Sequence, residues 1–216
     1  RTIEPGDLFI PISGPNFDGH NFIGSALKKG AVASVVSRAV DDLAQDVPML
    51  KVTDTIKALD KLGRGGRNRS VAKIIGITGS VGKTGVKEAL GSLLSDQGRA
   101  SFNLGSYNNH FGVPLSLARL PKNAEYGIFE LGMNHSGELT QLSQIVRPNV
   151  ALITTVEAAH TEFFSSTDEV AQAKAEIFDG LQKGGTAILN RDNQYFDLLR
   201  LAAFSAGASS IISFGE

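Results

Sequence analysis

The chain lacks cysteine altogether, and neither sign of charge is in clear excess. Without cysteine there can be no disulfide, no thiolate nucleophile and no cysteine-ligated zinc site. The formal net charge of −1 gives no reason to expect nucleic acid or an anionic membrane as a partner. No stretch approaches the ~18 consecutive apolar residues that a membrane span needs. These features are compatible with the cytoplasm, and we expect a monomer that binds neither nucleic acid nor membrane.

The remaining composition is typical of a globular protein, with 42% apolar and 20% charged residues. Residues 1–70 contain short strands, a helix near 20–29 and a basic, glycine-rich segment at 63–69. We interpret this part as a small α/β domain that ends in a linker with solvated arginines. Residues 71–216 alternate strands and helices, which predicts a mostly parallel sheet with helices on both faces. The predicted fold class is therefore α/β, with two domains.

The strongest chemical signal is the stretch IIGITGSVGKT at residues 74–84. The apolar run Val71 to Ile77 predicts a buried strand, and the residues after Lys83 have helical spacing. A strand, a glycine loop and a helix form the arrangement that holds nucleotide phosphates through backbone N–H groups. Lys83 would reach the β- and γ-phosphates, and the Thr84 hydroxyl would bind Mg²⁺. The alternative is a plain strand–helix turn, since Ile77 stands where the general phosphate-loop pattern has glycine.

Polar residues follow the predicted strands at the edge where ligands of parallel sheets bind. Glu130 ends one strand among apolar neighbours and could hold Mg²⁺, although an edge acid that points to solvent is the alternative. His160 follows the next strand by a short loop, where a solvated histidine is the simpler interpretation. Asn190 follows a third strand and could contact an adenine edge or simply make a turn. Asn109 precedes a predicted helix, where asparagine is also common in turns.

Lys174 occupies an unusual position for a lysine. Ser166 and Glu169 fit the capping box of a helix start. The stripe that should be buried on this helix consists of Val170, Lys174, Ile177, Phe178 and Leu181. A buried ammonium group is costly unless it is paired, so we weigh two interpretations of Lys174. Either it extends to solvent along an apolar stem, or it is a paired or chemically modified lysine at a metal or phosphate site.

Taken together, these motifs resemble the Mur ligases, a family of ATP-dependent ligases. The resemblance covers the whole chain in order and spacing. The residues that carry it are Pro5–Phe9, Asp18–Phe22, Gly76–Thr84 with Lys87 and Glu88, Asn109–Leu115, Glu130–Asn134 with Gly137 and Glu138, Ala159–Phe164, and Ala173–Ile177.

The resemblance implies a role for each candidate residue. The ATP-binding set would be Gly79, Ser80, Val81, Gly82, Lys83, Thr84, Gly85, Asn109 and Asn190. Thr84 and Glu130 would hold one Mg²⁺, while His160 and a carbamylated Lys174 would serve a second metal. The residues implied as catalytic are Lys83, Lys174 and His160. Arg1 and His20 would bind the uridine-nucleotide substrate in residues 1–70.

The implied chemistry is formation of an amide bond during synthesis of peptidoglycan precursors. ATP would activate the UDP-N-acetylmuramoyl-tripeptide as an acyl phosphate, and the amine of D-alanyl-D-alanine would attack it. The family has a third domain that closes over ATP, so we expect this chain to be a fragment that is inactive without it. The alternatives are a diaminopimelate- or lysine-adding Mur ligase, a folylpolyglutamate synthase, or a non-catalytic nucleotide-binding module.

Overall fold

The computed structural model describes residues 3–40, 47–103, 105, 107–158 and 163–216. The chain divides into two compact units, Arg1–Lys61 and Leu62–Glu216. Among the residues described, no helix is both long and apolar enough to cross a membrane. The assignment of residues 1–70 to substrate binding stays a prediction.

The first unit contains a small parallel sheet with strand order β1-β4-β5 and a separate antiparallel β2–β3 hairpin. Its strands are β1 (Leu8–Phe9), β2 (Ser13–Gly14), β3 (Phe17–Asp18), β4 (Ala33–Val36) and β5 (Met49–Lys51). The helix predicted near 20–29 is present in two pieces, a 3-10 turn at Gly19–Phe22 and α1 at Ile23–Lys28. The side chain of Asp18 accepts a hydrogen bond from the His20 amide and so begins the 3-10 turn.

Helix α2 (Thr55–Arg69) begins after Asp54, whose carboxylate accepts from the amides of Ile56 and Lys57 at 2.8 and 3.0 Å. It then continues through residues 63–69, the segment that the sequence analysis interpreted as a helix end and linker. The prediction of solvated arginines is wrong for Arg67, which is only 9% exposed and donates to the Val146 carbonyl at 2.7 Å.

Gly66 allows this close packing of α2. A Cβ atom at Gly66 would lie 2.0 Å from the Leu117 carbonyl oxygen, so a larger residue could not occupy the position without moving backbone. The glycine that suggested a linker in the sequence is therefore required for helix contact.

The second unit is built on a six-stranded sheet whose paired strands all run parallel, in the order β11-β10-β9-β6-β8-β7. Its strands are β6 (Lys73–Thr78), β7 (Ala100–Phe102), β8 (Tyr126–Glu130), β9 (Val150–Ile153), β10 (Thr186–Asn190) and β11 (Ser210–Phe214). Its other helices are α3 (Lys83–Ser95), α4 (Gly112–Ala118), α5 (Glu138–Val146), α6 (Thr167–Ala175) with a 3-10 extension at Glu176–Gly180, and α7 (Phe196–Ser205). The predicted parallel sheet is confirmed, while β7, α7 and β11 were not predicted.

Helices cover both faces of this sheet. Successive residues of a strand point to opposite faces, and on β8 Ile128 packs in a cluster with Val86 and Leu90 of α3. Phe129 packs in the larger cluster on the other face, with residues of α4, α5, α6 and α7. Helices therefore lie on both faces of the sheet, with α3 on one face and α4, α5, α6 and α7 on the other.

The central strand β6 brings the candidate residues to one edge. It lies between β8 and β9, with Ile77 paired to Glu130 and Thr78 paired to Ile153. The segments that follow these three parallel strands therefore emerge side by side, at the carboxyl edge where ligands of such sheets bind.

Candidate nucleotide-binding site

The glycine loop has the backbone shape that its glycines allow. Gly79 and Gly82 both adopt positive φ, at 148° and 85°. A Cβ atom at Gly79 would lie 1.9 Å from the Thr154 hydroxyl oxygen. Helix α3 begins at Lys83, and its N-cap residue makes no side-chain hydrogen bond to the first turn. An uncapped helix start behind a glycine loop is suited to hold an anion through backbone N–H groups.

Ser80 anchors the glycine loop to the segment after β9. Its amide donates to the Thr155 carbonyl at 2.9 Å. Its hydroxyl donates to the Glu157 carbonyl at 3.0 Å and accepts from the Glu157 amide at 2.9 Å. The contacts of the protein itself thus hold the loop in shape, and the amide and hydroxyl of Ser80 already have partners.

Lys83 folds back over the loop. Its ammonium group donates to the Gly79 carbonyl at 2.7 Å. Burial lowers the pKa of Lys83, and the negative charge of Glu130 opposes that shift. The cation that would meet the phosphates is therefore already directed at the loop.

Thr84 and Glu130 meet although they lie 46 positions apart. The Thr84 hydroxyl donates to one carboxylate oxygen of Glu130 at 2.8 Å. The Asn108 side-chain amide donates to the other oxygen, also at 2.8 Å. Glu130 is 2% exposed, so the alternative of an edge acid in solvent is wrong.

The donor chemistry of this pair suits Mg²⁺. A hydroxyl oxygen and a carboxylate oxygen are hard ligands, and Mg²⁺ is commonly held by one or two such protein groups together with phosphate oxygens. The residues that the structure describes contain no group of three or more His, Cys, Asp or Glu residues that could hold a metal by themselves. A metal at Thr84 and Glu130 would therefore need phosphate or water to complete its coordination.

Lys174 is buried on α6, as its place in the apolar stripe predicted. It is 1% exposed, which rules out the interpretation that its amine extends to solvent. Within the described part of the chain, its ammonium group makes no hydrogen bond or ion pair. Burial, and after it the nearby positive charge of Lys83, lower the pKa of Lys174 to about 7. A large share of this amine is therefore neutral near neutral pH.

The two asparagines predicted to bind ATP have local partners in this structure. The Asn109 side-chain oxygen accepts from the amides of Phe111 and Gly112 at the start of α4. The Asn190 side-chain oxygen accepts from the Asp192 amide at 3.0 Å, which makes the turn that the sequence offered as an alternative. Their roles toward ATP stay predictions.

The remaining predicted residues lie elsewhere or outside the described residues. His20 is 3% exposed in the first unit, where its Nδ1 donates to Asp18 at 2.6 Å and its Nε2 accepts from the Ser37 amide at 3.1 Å. Contact with a substrate would have to replace one of these bonds. Arg1 and His160 lie outside the described residues.

The structure adds residues to which the sequence analysis gave no role in the site. Asn108, and not Asn109, reaches Glu130. Lys87 and Asn103 are buried beside the same region. The hydroxyl of Thr78, directly before the glycine loop, is a buried oxygen without a hydrogen-bond partner in the described ranges. One sequence signal could have pointed to Lys87: it lies four positions after Lys83, on the same face of the predicted helix.

Comparison with known proteins agrees with this architecture. The family description "Mur ligase middle domain" matches residues 77–216, and "Mur ligase family, catalytic domain" matches residues 1–67. The UDP-N-acetylmuramoyl-tripeptide–D-alanyl-D-alanine ligase of Rickettsia prowazekii is 42% identical over 216 residues, which are 100% of this chain and 48% of that protein. The chain thus spans about half the length of that relative.

Solved structures show the same relationship. A crystal structure of MurF from Acinetobacter baumannii matches with a TM-score of 0.86 and 38% identity, over 98% of this chain and 46% of that one. MurF ligase from Thermotoga maritima in complex with ADP matches with a TM-score of 0.80 and 29% identity, over 98% of this chain and 48% of that one. Because the middle-domain match alone covers well over half of its residues, this chain belongs to the Mur ligase family.

Proposed function

We propose that this chain is the nucleotide-binding part of an ATP-dependent ligase that joins D-alanyl-D-alanine to the UDP-N-acetylmuramoyl-tripeptide in peptidoglycan synthesis. The observation that carries the proposal is the 2.8 Å contact between Thr84 and Glu130 beside the loop that Lys83 closes. The names of the relatives supply the substrates. The ADP complex of the Thermotoga maritima protein supports a nucleotide at this loop.

The proposed reaction has two steps. The γ-phosphoryl group of ATP passes to the terminal carboxylate of the tripeptide, which gives an acyl phosphate and ADP. The amine of D-alanyl-D-alanine then attacks the acyl carbon, the carbon–oxygen bond to phosphate breaks, and the amine loses a proton. The products are the amide, phosphate and ADP.

The residues of this chain would act mainly by position and charge. Backbone N–H groups of the glycine loop and the start of α3 would bind the phosphates, and Lys83 would stabilise negative charge on the transferring group. Thr84 and Glu130 would hold Mg²⁺, which when bound would neutralise charge on the phosphate oxygens.

Lys174 would carry a carbamate in the active protein. Its neutral amine would attack CO₂, forming a nitrogen–carbon bond and releasing one proton to solvent. The product is an anion, and it would serve a second metal together with His160. We also propose that the protein is a monomer in the cytoplasm.

The first test is Lys83→Ala in the full-length protein. We expect turnover to fall by about 10²- to 10³-fold or more, because the main cation at the transferring phosphoryl group is lost. The measurement is ADP release that requires both the UDP-linked tripeptide and D-alanyl-D-alanine.

Lys73→Ala is the matched control, since Lys73 is exposed at the opposite end of β6. It should leave turnover unchanged, and circular dichroism should show that both variants fold. A near-normal rate in Lys83→Ala would contradict the assignment. A wild-type protein that binds ATP but releases no ADP with both substrates present would indicate a non-catalytic nucleotide-binding module.

A further inference from the structure

Lys87 is a second fully buried lysine beside the proposed site. It is 0% exposed. It lies on α3 four positions after Lys83 and three after Thr84, so the three residues share one face of the helix. A buried ammonium group destabilises a protein strongly unless all its donors are bonded. The role of Lys87 can therefore be inferred from the groups to which its ammonium group is bonded.

Among the described residues, the Lys87 ammonium group makes two hydrogen bonds and one ion pair. It donates to the Asn103 carbonyl at 2.9 Å and to the Gly105 carbonyl at 2.7 Å. It forms an ion pair with the exposed carboxylate of Glu88 at 3.0 Å. Two bonds thus run from α3 to the segment that follows β7.

Asn103 connects that segment to Glu130. Its side chain is buried, with its oxygen accepting from the Glu130 amide at 3.1 Å. Its side-chain nitrogen donates to the Tyr107 carbonyl at 2.9 Å. Asn103 therefore holds both the backbone of Glu130 and the next part of its own segment.

Asn108 completes the contact. Its side chain donates to the Glu130 carboxylate at 2.8 Å, and its carbonyl accepts from the Gly132 amide at 2.8 Å. We call Asn103, Gly105, Tyr107 and Asn108 the clamp. The clamp bonds to Glu130 at the backbone and at the side chain, and Lys87 bonds to the clamp.

We propose that Lys87 is a positioning residue that acts through the clamp to orient the Glu130 carboxylate for Mg²⁺. The inference rests on the proposed function, which assigns Mg²⁺ to Thr84 and Glu130. Residues that orient a metal ligand by hydrogen bonds typically change metal affinity by about 10- to 100-fold when they are removed. A residue with only a structural role would lower stability but leave the metal dependence of the folded protein unchanged.

The test measures ADP binding to the full-length protein by calorimetry, with and without Mg²⁺. The ratio of the two affinities is the Mg²⁺ enhancement. In Lys87→Met we expect this enhancement to fall by about 10-fold or more. ADP binding without Mg²⁺ should stay within about two-fold, because the glycine-loop backbone that meets the phosphates is unchanged.

Two controls separate this effect from simple loss of charge. Lys73→Met removes an exposed lysine of the same sheet, and Glu88→Gln removes the one partner of Lys87 that lies outside the clamp. Both should retain the wild-type enhancement. If Glu88→Gln lost as much enhancement as Lys87→Met, the route through the clamp would be wrong.

Asn103→Ala tests the same connection between Lys87 and Glu130 at a second residue. This variant replaces Lys87→Met in the experiment if Lys87→Met does not fold. It should show a similar loss of enhancement. The double variant should be no worse than the poorer single variant, since both changes act on one pathway. Unchanged enhancement in a folded Lys87→Met or Asn103→Ala protein would overturn the inference while leaving the proposed function intact. Absence of any Mg²⁺ enhancement in the wild type would instead contradict the proposed function.

Discussion

Lys87 on α3 and Lys174 on α6 are both lysines with almost no exposed surface, yet their surroundings are opposite. The Lys87 ammonium group makes two hydrogen bonds and one ion pair. Lys174 has none among the residues described, and it faces a second cation, Lys83. Only a charged amine can fill three acceptors, whereas an unpaired amine in an apolar stripe is stabilised by losing its proton.

The comparison teaches that burial of a charged residue does not by itself identify a functional group. The ammonium group of Lys87 is bonded to the Asn103 and Gly105 carbonyls, so its role is to hold the backbone beside the site. Lys174 has no hydrogen-bond or ion-pair partner among the residues described, which leaves its amine available for chemistry.

The largest expected effect is on stability. Lys174→Met and Lys87→Met should change the free energy of unfolding in opposite directions. At pH 6 in CO₂-free buffer, Lys174→Met should raise the free energy of unfolding by on the order of 3 kcal/mol, because it removes a buried, unpaired ammonium group. Lys87→Met should lower it by about 2 kcal/mol, because the carbonyls of buried Asn103 and of Gly105 lose their donor. Urea denaturation of both variants measures the two changes.

The control for Lys174→Met is the pH dependence of its effect on the free energy of unfolding. The pKa of Lys174 is about 7 in the folded protein, against 10.5 for an ordinary lysine. Between those values the unfolded state binds more protons, so wild-type stability rises with pH and the advantage of Lys174→Met shrinks. An advantage that grew over this range, or two variants with the same sign at pH 6, would break the comparison.

The next effect concerns reaction with CO₂. Labelled bicarbonate, followed by covalent trapping and peptide mass spectrometry, should find a carbamate at Lys174 and not at Lys87. Since only the neutral amine reacts, the initial rate of labelling at Lys174 should rise roughly ten-fold between pH 6 and pH 8 when the concentration of dissolved CO₂ is held constant, as expected for a pKa of about 7. Equal labelling of the two lysines, or no label at Lys174, would count against the carbamate.

The smallest effect is expected for Glu88→Gln. This carboxylate is the third partner of Lys87, but its side chain is 54% exposed. Exposed ion pairs contribute little, so the free energy of unfolding should change by less than about 1 kcal/mol. A loss as large as that of Lys87→Met would show that the ion pair, and not the two carbonyls, stabilises the buried amine.

Features encoded by neighbouring residues could be predicted from the sequence. The Ser166 hydroxyl accepts from the Glu169 amide as the capping box required, and the stripe that contains Lys174 is buried. The contact between Thr84 and Glu130 could also be predicted from the sequence, because the segments that follow parallel strands share one edge of a sheet.

Features that depend on distant partners could not be predicted in this way. Arg67 looked like part of a solvated linker, but its acceptor is a carbonyl 79 positions away. Lys87 was named only as part of the family resemblance and was given no role, since its two backbone acceptors lie 16 and 18 positions further along the chain. Asn108 and Asn109 are adjacent asparagines, and only the folded backbone directs Asn108 to Glu130 and Asn109 to the start of α4.

The sequence by itself therefore determined the alternation of strands and helices, the glycine loop and the burial of Lys174, because periodicity, capping and glycine backbone preferences act over a few residues. Only the tertiary structure decided which buried charge is paired and which is not. Hydrogen-bond partners are selected by distances of about 3 Å between atoms, and the chain brings those atoms together only after the sheet and helices have packed.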